Sequence, residues 1–200
     1  MIKEWINFHS FIFSLEVFCM YFGNIKNCDI ANGIGVRVTL FVSGCTNHCK
    51  NCFQPETWDF CYGKEFTQEE EDKLIGLLKS SYIDGLTLLG GEPLEPRNQP
   101  GVYKLVKRFR EEFGDKKTIW CYTGFTFGRL MTPGEYPHTE ITEKLLREID
   151  VLVDGRYVDE LKQLTLRFRG SSNQRLIDLK KTFDNGCTSI ILLPLEDRHF

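Results

Sequence analysis

Long apolar runs, an excess of charge, internal repeats and low-complexity stretches are all missing from this 200-residue sequence. Lys and Arg number 25 against 28 Asp and Glu, a formal charge of −3. That balance offers no general attraction to nucleic acid or to an anionic membrane, and neither is expected as a partner. The apolar stretch at residues 8–22 is too short to span a bilayer and is broken by His9 and Glu16. Its basic start is weak, Lys3 beside Glu4, and no small-residue cleavage site follows, which argues against export. With no linker inside it, a chain of this length makes one sizeable core. Residues 1–19 read as an extension ahead of Met20, residues 20–193 as the domain, and residues 194–200 as a tail that begins at the proline after strand-like 190–193. Hydrophobic residues at 42% and charged residues at 26% are globular values and exclude a disordered chain.

Between those ends the hydrophobic period switches repeatedly. Residues 36–42 (VRVTLFV) are β-branched and apolar, close at Ser43-Gly44, and predict a buried strand. Thr67 and Glu70 form a capping box ahead of Leu74, Leu77 and Leu78 on one helical face. Residues 86–89 predict a strand that ends at Gly90-Gly91. Val102, Leu105, Val106, Phe109 and Phe113 then mark a helix stopped by Gly114. A strand at 118–122, a helix carrying Ile141, Leu145, Leu146 and Ile149, and a strand at 151–153 complete the series. The alternation predicts an α/β fold with a mainly parallel sheet. In that class chemistry gathers at the carboxyl ends of strands. Those ends hold Cys45, Gly90-Gly91-Glu92, Thr123-Gly124 and Asp154-Gly155.

Eight cysteines are too few for a small secreted disulfide scaffold, so their placement decides. Cys45, Cys49 and Cys52 form C-x3-C-x2-C directly after the first strand. The spacing lets three thiolates converge on one small inorganic body. Structural zinc commonly takes two ligand pairs a dozen or more residues apart, and no second pair follows. His48 makes a fourth ligand only on paper, because it adjoins Cys49 and the loop would be badly strained. A disulfide leaves one thiol over. Three thiolates on a four-iron cluster leave one iron open to an outside ligand, whereas an electron-transfer cluster takes a fourth cysteine. An open-iron cluster leads, with zinc kept beside it. Cys19, Cys28, Cys61, Cys121 and Cys187 are isolated and read as small buried hydrophobes, with a redox or partner-facing role left open for Cys28 and Cys61. His138 and His199 read as surface residues.

The second constellation is Leu88-Leu89-Gly90-Gly91-Glu92-Pro93. Two glycines at a strand end permit close approach by a ligand, and Glu92 can pair with an ammonium. Asn32-Gly33-Ile34-Gly35 reads as a turn, with an anion nest as the alternative. Arg167, Arg169 and Arg175 around residues 170–174 read equally as a contact surface or a solvated loop.

The cysteine loop followed by Gly-Gly-Glu-Pro resembles the radical S-adenosylmethionine (SAM) superfamily. More specifically, the chain is similar to the activating enzymes of anaerobic, class III ribonucleoside-triphosphate reductases. The likeness lies in residues 32–35 with the strand into Ser43-Gly44-Cys45, in Cys52-Phe53-Gln54-Pro55-Glu56-Thr57-Trp58, in Tyr122-Thr123-Gly124-Phe125, and in 151–155 running on to Gly170-Ser171-Ser172-Asn173-Gln174. Phe53-Gln54 departs from the family's more frequent Tyr-Asn. The resemblance implies a short, incomplete (open) β/α barrel. It implies one [4Fe–4S] cluster per chain on Cys45, Cys49 and Cys52, with SAM on the fourth iron. It also implies SAM contacts from Asn51, Cys52, Phe53, Gly90, Gly91 and Glu92, and weaker nucleoside contacts from Thr123 and Asp154. The implied activity is a glycyl radical made on the reductase, fed by an external donor such as a flavodoxin-like protein in a reducing cytoplasm, with no general acid or base required. The alternatives are another small radical SAM enzyme, acting on a different glycyl-radical protein or a metabolite, and a structural zinc module.

Overall fold

The computed structural model describes residues 19–194. The tail after Pro194 and all but Cys19 of the expected extension lie outside them, as does His199. The strands are β1 (Tyr21–Asp29), β2 (Arg37–Val42), β3 (Lys64–Glu65), β4 (Gly85–Gly90), β5 (Thr118–Tyr122), β6 (Val151–Asp154) and β7 (Arg175–Asp178). The helices are α1 (Gln68–Leu78), α2 (Gln99–Phe113), α3 (Phe127–Met131), α4 (Thr142–Arg147) and α5 (Leu179–Asp184). The strands form one open sheet in the order β3-β1-β2-β4-β5-β6-β7. Its centre, β2 to β6, is parallel as expected. The flanks are antiparallel: β1 on β2, β3 on β1, and β7 on β6.

Strand alternation sorts the side chains onto two unlike faces. Val38, Leu40, Val42, Leu86, Leu88, Ile119, Cys121, Leu152 and Ile177 join one core with buried residues of all five helices. The opposite face has a smaller apolar group, Trp120, Val151, Val153 and Leu176, with Phe168 and Tyr122 against it. Beside that group lie buried polar side chains, Arg37, Thr39 and Thr87. Arg37 is fully buried without a carboxylate bonded to it. Its guanidinium donates to the hydroxyls of Thr87 (2.7 Å) and Thr118 (3.0 Å) and to the carbonyls of Leu86 (2.6 Å) and Thr118 (2.8 Å). Burial lowers its pKa to about 10. This one side chain ties the amino ends of β2, β4 and β5 together.

Several expectations need correcting in detail. Thr67 caps α1 by accepting from Glu70 N–H at 3.5 Å, but the reciprocal half of the capping box is not made. Thr67 N–H donates instead to Glu65 O, and the Glu70 carboxylate pairs with Lys73. Residues 190–193 form no full strand; Leu192 makes an isolated bridge to Ile177. The turn at Asn32-Gly33-Ile34-Gly35 is a turn, with Gly33 and Gly35 at positive φ. Asn32 is spent within the fold, donating to Asp29 at 2.6 Å and accepting from the Thr87 hydroxyl. His138 is half-buried rather than on the surface, its Nδ1 2.7 Å from Leu130 O. Of the isolated cysteines, Cys121 is buried as expected and Cys19 is half-buried, but Cys28, Cys61 and Cys187 are exposed.

Candidate metal centre

Ser43 and Gly44 lead the chain off the carboxyl end of β2 into the cysteine loop. The loop's start is pinned by Gly44 N–H to Thr57 O (2.8 Å) and Cys45 N–H to Trp58 O (3.2 Å). Cys45 is buried, while Cys49 and Cys52 are half-buried. Cys52 N–H donates to Cys49 O at 3.1 Å, closing a tight turn. His48 and Asn51 both hold positive φ, +46° and +57°, a backbone cost of the tight loop that carries the cysteines. Burial, then the nearby Glu92 carboxylate, push the Cys45 thiol up to about 11; a metal would have to displace that proton to be bound.

The loop after β4 lies directly against this one. Glu92 N–H donates to Gly44 O at 2.8 Å, and the Asn98 amide reaches Ser43 O at 3.0 Å. A Cβ on Gly91 would stand 2.7 Å from Gly44 O and 2.7 Å from Thr57 O. The close approach that the two glycines permit is thus made by the chain's own backbone. Glu92 is 1% exposed. Its carboxylate accepts from Leu94 N–H (3.0 Å), Gly124 N–H (2.7 Å) and the Asn47 amide (3.2 Å). Burial raises it to about 8, opposed by the Leu94 and Gly124 hydrogen bonds. Glu92 therefore joins the cysteine loop to the Thr123-Gly124 turn.

Glu95, which sequence reasoning passed over, performs a similar task. Its Oε1 accepts from Thr46 N–H (2.7 Å) and the Thr46 hydroxyl (2.6 Å), and its Oε2 accepts from the Tyr136 phenol. The signal was the second acid in Gly-Gly-Glu-Pro-Leu-Glu; for Tyr136 there was none. On the outer side, the segment after β6 grips the same loop. Lys50 Nζ meets Glu160 at 2.9 Å, the Asn51 amide meets Asp159 at 2.7 Å, and Arg156 donates to His48 O at 3.2 Å.

The other expected positions divide. Gly90 and Gly91 are half-buried beside the cysteine loop, and Phe53 stands 77% exposed on it. Thr123 is buried, its hydroxyl accepting from Phe125 N–H at 3.1 Å. Asp154 is fully buried and already engaged: it accepts from Phe127 N–H at 2.8 Å and pairs with Arg175. Arg175 therefore belongs to an ion pair in which only the Asp154 side is fully buried. Arg169 donates to Gln174 O at 2.9 Å, and the Arg167 guanidinium lies 5.1 Å over the Phe168 ring.

The donors suit an iron–sulfur cluster. They are three free thiols on one loop, without a carboxylate or imidazole among them. The His48 ring stacks on Trp58 at 4.6 Å, so a fourth zinc ligand there would cost that contact. Among the described residues, no three His, Cys, Asp or Glu side chains stand close enough to hold one metal ion. A four-iron cluster is a wider body, and its ligands need not meet at a point.

Comparison with known proteins agrees. Residues 31–177 match the family model described as a 4Fe-4S single cluster domain. Three relatives carry the name anaerobic ribonucleoside-triphosphate reductase-activating protein. That of Vibrio cholerae is 44% identical over 148 residues, covering 73% of this chain and 90% of the relative. The Escherichia coli K12 protein is 42% identical over 148 residues, with the same coverage of both chains. The protein of Enterobacteria phage T4 is 38% identical over 157 residues, covering 78% of this chain and 93% of its own.

Proposed function

This chain belongs to the family of anaerobic ribonucleoside-triphosphate reductase-activating proteins and activates such a reductase, and from that premise we propose how its residues do so. Cys45, Cys49 and Cys52 would hold a [4Fe–4S] cluster, with SAM bound beside them. When bound, the reduced cluster would supply the electron, and SAM the 5′-deoxyadenosyl group, for making a glycyl radical on the reductase. The electron comes from an external donor of the flavodoxin kind, in a cytoplasm reducing enough to spare the cluster. No helix among the described residues is long and apolar enough to cross a membrane.

The residues of this chain position and shield. Buried Cys45 keeps one side of the cluster from water. Glu92 has no cation bonded to it, and the SAM ammonium, brought beside it, would draw the carboxyl into its charged form and pair with it. Asn51, Cys52 and Phe53, together with Gly90 and Gly91, would line the place that SAM takes. Thr123 shapes the turn that carries Gly124 N–H to Glu92; Asp154, held by Arg175, supports the next strand end rather than a ligand. A short, open β/α barrel accounts for the sheet: β2, β4, β5 and β6 are neighbours in chain order, and the helices pack with one face only. The opposite face is then the lumen, and the sheet, which does not close on itself, leaves room for a glycine-bearing loop to enter.

The observation that carries this reading is the set of three free thiols on one loop, with buried Glu92 bonded across to it. Cys49→Ser tests it in an anaerobic mixture with the reductase, SAM and reductant. We expect no glycyl radical signal and no methionine; a variant that still activated the reductase would remove the cluster from the account.

A further inference from the structure

We infer that Glu95 is a positioning residue for the cluster loop, holding the stretch between Cys45 and Cys49 in place and setting a fixed negative charge beside it. This rests on the reading that those cysteines hold a cluster. Glu95 is 1% exposed. Its backbone is fixed on both sides, Glu95 N–H to Glu92 O at 3.2 Å, and Asn98 and Gln99 N–H to Glu95 O at 2.8 and 3.0 Å. From there the carboxylate accepts three hydrogen bonds, from Thr46 N–H, from the Thr46 hydroxyl and from the Tyr136 phenol. Each of these bonds is stronger to an ionised carboxylate than to a neutral acid. None of the three donors is cationic, so its field is not cancelled by a bonded partner, and the low-dielectric surroundings weaken it little.

Thr46 follows Cys45 directly and stands three residues before Cys49. Fixing both its N–H and its hydroxyl removes the freedom of the backbone that sets the spacing of the first two thiols. Tyr136 closes the arrangement from a distant segment, its ring edge-on to Phe125 at 5.7 Å and its carbonyl held by Arg129 at 2.8 Å. Hydrogen bonds behind metal ligands orient those ligands, and nearby charge tunes a cluster's readiness to take an electron. A negative charge here makes the added electron less welcome and lowers the reduction potential.

Two variants separate position from charge. Glu95→Gln keeps an oxygen for Thr46 and loses the charge; Glu95→Ala loses both. The parent and both variants are reconstituted anaerobically as full chains and checked for folding by circular dichroism. Iron release to a chelator is then followed, and the potential is titrated by electron paramagnetic resonance. We expect Glu95→Gln to hold iron as the parent does and to titrate at a more positive potential. Glu95→Ala is expected to release iron about tenfold faster. Folded variants that matched the parent in both iron release and potential would overturn the inference. If the alanine variant does not fold, the potential of Glu95→Gln decides. A parent chain that takes up no iron would instead overturn the cluster reading on which this rests.

Discussion

Glu92 and Glu95 are both buried beside the same cysteine loop, yet they differ in what the fold asks of them. Burial pushes Glu92 up to about 8 from an ordinary value of 4.5. The folded chain therefore keeps a proton that the unfolded chain has shed, and between those two pH values stability falls as pH rises. Glu92→Gln cannot ionise, so its stability relative to the parent should improve steadily from about pH 4.5 to about pH 8 and then level off. Urea melts of the iron-free proteins across that range measure the difference; a difference that stays constant or moves the other way contradicts the burial argument. The thiols were legible because their whole pattern lies within eight residues of sequence. The Thr46–Glu95–Tyr136 contacts were not, because 41 residues separate the last two partners and neither carries a periodic or turn signal. The partners of Asp154 were hidden for a related reason. A carboxylate at a strand end looks the same in sequence whether it faces a ligand or, as here, an arginine 21 residues later on the neighbouring strand.

At the scale of elements, the parallel strands and their helices were legible because each is buried on the side that its period predicts. Val102, Leu105, Val106 and Phe109 of α2 are all fully buried. Leu105→Ala should cost about 2–5 kcal/mol with an unchanged denaturant slope; a loss below about 1 kcal/mol would mean that the helix packs far more loosely. The flanking strands were missed because they have little apolar alternation to show. β1 is YFGNIKNCD, with half its length facing solvent and register shifts within it, and β3 is two exposed residues. The loops at the carboxyl ends behave as one packed layer. Gly91→Ala would drive a Cβ against two backbone carbonyls that cannot swing aside. It should destabilise the chain by about 1–3 kcal/mol and loosen iron binding with it. Normal melting and normal iron content together would show that the two loops are not coupled.

Across the whole molecule, the sheet has an apolar face that carries the helices and a mixed face that carries buried polar groups and Trp120. That division places the cysteine loop, the Gly90–Glu95 turn and the Thr123-Gly124 turn at one end of the parallel strands, where a cofactor and a protein partner can meet. The chain is otherwise spare: its charge is near balance, and three of its eight cysteines fall within eight residues. The measurement that tests this most directly is an electron paramagnetic resonance spectrum of the anaerobically reconstituted, dithionite-reduced protein, with and without SAM. The account predicts a reduced [4Fe–4S] signal that changes shape when SAM is added. A colourless, silent protein holding one zinc would contradict it.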